Sequence, residues 1–223
     1  MADGSDALPK GAAGVWGQVV AALILVPALC VGLWALGETG TPTSVPTPAA
    51  ACPEEKPART DPPRVSEAQL CDLLKRPDLA QLLGTPSETP KSAGGRDGSI
   101  GRPSGRVDFE TYTVTLSAGY DGLPVTESVA FLGKDAQERT VLGHPAVLSS
   151  DYTLSISFRL DGSDATSGPG VPVRTLTVAR DPKDGGDSFE LSLWRANGGV
   201  PDDAVLLRVA EKVLPTIPGW EAA

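Results

Sequence analysis

The chain has a single histidine, His144, and histidine is the side chain that most often serves as a general base near neutral pH. A Ser-His-acid triad in this chain would have to use it. His144 lies in the sequence Leu-Gly-His-Pro, which is typical of a tight turn, where a histidine is more often structural or exposed than catalytic. No G-x-S-x-G, P-loop or G-x-G-x-x-G motif is present. The sequence therefore predicts no catalytic residue and no enzyme.

Two acidic runs, at 161–164 and 181–187, are the next candidates, because calcium is bound by carboxylate and carbonyl oxygens. Neither has the alternating carboxylates and the twelfth-position Glu of an EF-hand. Turns rich in Asp and Gly have this composition for structural reasons. With 1 His and 3 Cys, zinc and haem sites are also short of ligands, so we predict no metal and no cofactor.

Cys52 and Cys71 form the expected disulfide of an exported domain, since paired cysteines in an oxidising compartment are usually bridged. Closing the loop between them is expected to stabilise the folded domain by about 3 kcal/mol, because the bridge restricts the unfolded chain. Cys71 falls near the edge of the apolar stripe of a predicted helix, where we expect it to be reached from the surface. Cys30 lies in an apolar segment and is expected to pack there as a small side chain.

Residues 15–36 carry no charge and predict one transmembrane helix. At about 1.5 Å per residue, this segment is long enough to cross the ~30 Å hydrocarbon core of a bilayer. Trp16 and Trp34 lie near its two ends, as side chains at the two membrane interfaces do. A signal peptide cleaved near 35–37, leaving a secreted domain, is the alternative, but the apolar run is longer than usual for one.

The flanks of this span indicate its orientation. Residues 1–14 form a short tail that contains Lys10, and the next cation after the span is Lys56, so the positive-inside rule favours a cytoplasmic N-terminus. Residues 37–64 are rich in proline and predict an extended linker, which holds a domain off the membrane.

Residues 65–220 have the pattern of an extracytoplasmic α+β domain. A capping box from Ser66 to Gln69 predicts a helix over 66–75, a second short helix follows over 79–83, and a third begins at Pro201 and ends before Pro215. Segments of period two between them indicate an antiparallel sheet with one buried face, covered by the helices from both ends of the domain. We predict its strands over 112–118, 125–132, 152–160, 173–180 and 188–195, of which 152–160 alternates most regularly, and residues 141–148 are predicted as strand, turn and strand.

Residues 85–106 are rich in glycine and proline and predict a flexible loop. Because the loop is basic on an acidic domain, Arg96, Arg102 and Arg106 are possible contacts to an anionic envelope polymer or lipid, although a solvated linker is the preferred interpretation. Trp194 is a further possible partner contact, since it falls on the strand face opposite the core. Cover by the C-terminal segment or a helix is the preferred alternative for Trp194.

Four segments, 70–86, 112–117, 158–164 and 201–215, resemble an uncharacterised actinobacterial family of small single-pass membrane proteins with an extracytoplasmic domain of unknown function. The resemblance covers most of residues 64–220. It implies no catalytic or binding residue. The chain is also similar, more faintly, to small actinobacterial envelope lipoproteins, but Cys52 lacks their lipid-attachment context.

The sequence thus predicts a membrane-anchored extracytoplasmic domain that serves as a non-enzymatic interaction module of the cell envelope. Its partners would be membrane lipid, through the one helix, and an envelope protein or polymer. A net charge of −9 argues against nucleic acid, because neutralising phosphates requires a cationic face. The alternative is an envelope hydrolase with an unrecognised carboxylate site. A pocket with two carboxylates of raised pKa would favour the hydrolase, and an exposed apolar sheet face would favour the interaction module.

We expect protease added to intact protoplasts to remove residues 65–220, because the positive-inside rule places this part of the chain outside. Immunoblotting against the C-terminal region checks the result, with a cytoplasmic protein as the control for membrane integrity. Full protection of the domain would contradict both the orientation and the disulfide.

Overall fold

Seven antiparallel strands form one sheet in the computed structural model, which describes residues 50–55, 64–97, 102–158 and 166–223. Their spatial order is β1-β2-β3-β7-β6-β5-β4, so two meanders, β1–β3 and β4–β7, join where β3 pairs with β7. The strands are β1 (Ser92–Arg96), β2 (Ser104–Asp108), β3 (Tyr112–Gly119), β4 (Gln137–Val141), β5 (His144–Ser157), β6 (Thr166–Ala179) and β7 (Ser188–Arg195).

The helices lie mainly at the two ends of the domain. They are α1 (Glu67–Leu74), α2 (Leu79–Leu82), α3 (Val125–Ser128) and α4 (Asp203–Val213), and a 3-10 turn (Leu214–Thr216) follows α4. The predicted capping box begins α1, since Ser66 Oγ accepts from Gln69 N and Gln69 Oε1 accepts from Ser66 N. Asp202 caps α4 by accepting from Ala204 N at 2.8 Å. The predicted α+β class is confirmed.

One face of the sheet packs against α1, α2 and α4, and the other is largely polar. Alternation along β3 shows the two faces, since Val114 and Leu116 are buried while Thr115 between them is half-buried on the other side. Leu70, Leu74 and Leu206 close the same core from the helix side. Each fully buried leucine contributes about 1.5–3 kcal/mol.

Residues 85–106, predicted as a flexible loop, contain β1 and the first three residues of β2, so the prediction is wrong for these strand residues; residues 98–101 lie outside the described part. Two glycines of this segment, Gly95 and Gly105, lie in close packing with other parts of the domain. Gly95 and Gly105 are paired across the two strands on the helix side, under α1. A Cβ on Gly105 would lie 2.2 Å from Cys71 N, so only glycine fits under the helix backbone.

The strand predicted over 125–132 is also wrong, because the segment begins with the one-turn helix α3. Asp184, 59 positions away in sequence, accepts from Val125 N at 2.7 Å and from Thr126 N at 3.0 Å. These hydrogen bonds satisfy amide groups that a helix start leaves free. A cap from so distant a residue outweighs the strand preference of the valines.

No helix among the described residues is long and apolar enough to cross a membrane. The predicted span at 15–36, with Trp16, Trp34 and Cys30, lies outside these residues, as do the tail at 1–14 and most of the linker at 37–64. The anchor therefore stays a prediction.

We predict that Gly105→Ala destabilises the domain by at least about 2 kcal/mol, because the added Cβ meets the α1 backbone, which cannot yield as a side chain can. Gly94→Ala on the neighbouring strand is the matched control, since its Cβ meets nothing within 4 Å. Urea unfolding of the full-length chain, followed by circular dichroism, measures both. Equal stability of the two variants would contradict the close contact.

Candidate interaction surfaces

A disulfide joins Cys52 to Cys71, as the sequence predicts, with their Cα atoms 5.7 Å apart. Cys71, on α1, is fully buried against β2. The prediction that this cysteine can be reached from the surface is therefore wrong. Gln69 Nε2 also donates to Glu55 Oε1 at 2.8 Å. The bridge thus fixes the segment that precedes the domain to its first helix.

His144 is a core residue of the domain. It follows the two-residue turn of Leu142 and Gly143 and is fully buried. Its Nδ1–H donates to the carbonyl of Ala179 at 2.9 Å, and its ring stacks on Trp220 at 4.0 Å between centroids. The C-terminal segment, through Trp220, therefore packs onto His144 beside the turn of the β4–β5 hairpin.

The carboxylates of the 181–187 turn all serve the backbone or an ion pair. Asp181 accepts from Lys183 N and Gly185 N, Asp184 caps α3, and Asp187 pairs with Arg180 at 3.0 Å. Among the described residues, no three His, Cys, Asp or Glu side chains are grouped to hold a metal ion. The second acidic run, at 161–164, lies outside these residues.

The four predicted partner contacts share one face of the sheet, the one opposite α1, α2 and α4, which we call the outer face. Register shows this: Arg96 is opposite Ser104, two residues before Arg106, and Arg106 crosses β3 at Thr115, which is opposite Ser192, two residues before Trp194. Arg102 reaches the same face through Glu190. The structure thus groups residues that are nearly a hundred positions apart.

Most charges of the outer face are paired within the domain. Arg106 lies over the Trp194 ring at 5.0 Å and also donates to Asp108. Arg102 lies between Asp121 and Glu190. The preferred alternative for Trp194 is wrong, because α4 and the C-terminal segment pack on the other face and Trp194 is half-buried beneath Arg106.

Asp108 accepts hydrogen bonds from three side chains of this face, Ser92, Arg106 and Thr113. Burial would raise the pKa of Asp108, but hydrogen bonds from Arg106, Ser92 and Thr113 outweigh it and hold the pKa below its ordinary value. In the same way, the Arg102 guanidinium outweighs burial and lowers the pKa of Asp121. Both carboxylates are therefore held in their charged form.

A second surface is a two-stranded ribbon, residues 150–157 of β5 and 166–172 of β6, that extends beyond the neighbouring strands. Pairing with β4 stops at Leu148, and pairing with β7 stops at Val173. The ribbon's strands pair only with each other among the described residues. This ribbon was missed as a site from the sequence.

The ribbon exposes large apolar side chains on the helix side of the sheet. Tyr152, Leu154 and Ile156 have the parity of the buried Ala146 and Leu148, so they continue the core face past the last helix that covers it. The exposed fractions are 61% for Tyr152, 72% for Leu154, 51% for Ile156 and 75% for Phe158, which directly follows β5. Such a patch is typical of an interaction site. The alternation was visible in the sequence, but it predicted burial.

Together these features define a small α+β sheet domain with one face covered by α1, α2 and α4, a largely polar outer face and a protruding apolar ribbon. The chain belongs to a family of unknown function, DUF6215, which matches residues 10–135. The match includes the predicted span, both bridged cysteines and β1–β3, while the ribbon and α4 lie beyond it. Comparison with curated proteins and with solved structures finds no match.

We predict that Asp108→Asn lowers stability at pH 7 by about 1–2 kcal/mol, because it weakens hydrogen bonds to a charged group. Since the pKa of Asp108 is lowered on folding, its contribution is present at neutral pH and is lost as the pH falls below about 4. The variant should therefore lose less stability than the wild type between pH 7 and pH 3.

Urea unfolding at both pH values measures this difference. Glu110→Gln, an exposed carboxylate paired with Lys91, is the control for loss of one surface charge and should change stability by less than about 0.5 kcal/mol. A wild-type pH dependence retained in full by Asp108→Asn would contradict the role of Asp108.

Proposed function

We propose that this chain is a non-enzymatic interaction domain of the cell envelope, held outside the cytoplasmic membrane by a single span at 15–36. The Cys52–Cys71 bridge supports an oxidising compartment, since structural disulfides are rare in the cytosol. The uncharged segment at 15–36 supports anchoring rather than release.

The apolar face of the ribbon carries the proposal of binding. Tyr152, Leu154, Ile156 and Phe158 stand in water side by side, and removing such side chains from water is favourable at roughly 25 cal/mol per Å² of apolar area. The two aromatic side chains resemble those that anchor protein interfaces. An envelope protein that covers this face is therefore the partner that we propose.

The outer face supports polymer binding less well. Arg102 and Arg106 already donate to carboxylates of their own domain, so an anionic polymer would have to compete with these pairs. We assign the outer face a secondary role and the ribbon the main one.

The hydrolase alternative would need a carboxylate that holds its proton at neutral pH, which requires a raised pKa. Among the described residues, the carboxylates with a resolved shift are all shifted the other way. The hydrogen bond from Arg76 lowers the pKa of Asp78, and donors to Asp108 and Asp121 outweigh burial to the same effect. This supports the interaction module over the hydrolase.

Site-specific photo-crosslinking in intact cells tests the proposal. A photoreactive residue at Leu154 of the full-length chain should give a protein adduct on irradiation, because this side chain would lie within an interface. The same residue at Glu138, an exposed position on β4, is the matched control and should give none. Absence of adduct at Leu154, or turnover of a cell-wall substrate by the purified chain, would overturn the proposal.

A further inference from the structure

The outer edge of β5 is open for a length of eight residues. Beyond Leu148, where the pairing with β4 ends, no strand of the described chain lies on that side of β5. The edge therefore presents a row of backbone groups that can pair with another strand.

The β4–β5 turn fixes which residues of β5 direct their backbone groups to this edge. Val141 and His144 flank a two-residue hairpin loop, and such flanking pairs exchange both backbone hydrogen bonds. Even-numbered residues of β5 therefore point toward β4, and beyond Leu148 they point to the open edge. Asp151 Oδ1 accepts from Tyr152 N at 2.7 Å, as expected for an amide that faces outward.

The two edges of the ribbon differ. On β6, Pro169 and Pro172 lack an amide hydrogen. Because Pro172 is opposite Tyr152, its nitrogen faces away from β5, so the missing donor lies on the β6 edge of the ribbon. On β5, residues 150–157 contain no proline, and Asp151 is their one charged residue. Proline therefore hinders strand pairing at the β6 edge, whereas the β5 edge is available for pairing.

We propose that the open edge of β5 pairs antiparallel with β5 of a second copy of this chain. The outward groups belong to even-numbered residues, so every such register places even-numbered residues opposite each other. Tyr152, Leu154 and Ile156 of both copies then lie side by side on one face, as cross-strand apolar neighbours. The residues whose backbone groups form the pairing edge are thus the same ones that carry the exposed apolar side chains.

The pairing also stabilises the ribbon and closes on itself. A two-stranded ribbon is marginal in water, whereas three or more strands with an apolar face are stable, and two copies supply four. The contact uses the same edge on both copies, so it forms a two-fold dimer and leaves no further open β5 edge for a fibre. A bilayer fits this surface less well, because lipid tails cannot satisfy the backbone groups beside the apolar side chains.

Disulfide trapping of the full-length chain in its native membrane tests the dimer. The inference rests on the proposed function, in which the ribbon is the binding surface. Leu154→Cys should give a reductant-sensitive dimer, because Leu154 lies near the middle of the open segment and so near the two-fold axis. Ser167→Cys is the control, since Ser167 is opposite Ile156 but on the strand away from the open edge, and it should give no dimer.

Charge exchange provides a second test, read out by co-purification of two differently tagged copies. Leu154→Lys in both copies should weaken association at least about tenfold, because like charges then meet across the axis. One Leu154→Lys copy with one Leu154→Glu copy should restore it. Circular dichroism verifies that both exposed substitutions leave the fold unchanged.

The results separate failure of the dimer from failure of the proposed function. Absence of both trapping and co-purification, with a photo-adduct at Leu154 to a different protein, would overturn the dimer and leave the interaction module standing. A photo-adduct to lipid would overturn the dimer in favour of a bilayer contact. Absence of any adduct, trapping or co-purification would overturn both.

Discussion

The close contact between the α1 backbone and a pair of glycines is the constraint on which much of this domain depends. Gly95 and Gly105 stand opposite each other on β1 and β2, and together they form a seat without side chains. The helix can rest on the strands only because no Cβ intervenes. This position places Leu70 and Leu74 over the core and brings Cys71 to the place where Cys52 can bridge to it.

The elements that the sequence predicts correctly are those whose cause is local. The capping box of Ser66 and Gln69 lies within four residues, and the Leu142-Gly143 turn joins two strands directly. Two segments differ from their predictions because the cause is distant: α3 is capped from Asp184, and Gly95 and Gly105 pack under a helix some thirty positions earlier. Periodicity within a segment contains neither fact.

In the candidate surfaces, too, the sequence predicts the local property but not the distant one: it gives the face on which a residue lies, but not whether a helix covers that residue. Alternation correctly assigns Trp194 to the face opposite the core. Register places Arg96 and Arg106 on that face, and Arg102 reaches it through Glu190. Alternation also assigns Tyr152 and Leu154 to the core side, which is their correct side, yet they are exposed. A strand pattern specifies the side on which a residue lies, but whether a helix reaches that far depends on the lengths of other elements.

The segment bridged to Cys71 and the ribbon lie near opposite edges of the sheet. Through Cys71, the segment that leads to the predicted span is fixed at the β1–β2 edge, while the ribbon belongs to β5 and β6, near the opposite edge. Four strand spacings of about 4.8 Å separate β2 from β5, or roughly 19 Å. A contact at the ribbon therefore leaves the bridged edge of the sheet uncovered. The bridge and the ribbon thus occupy separate parts of the sheet and do not compete for the same surface.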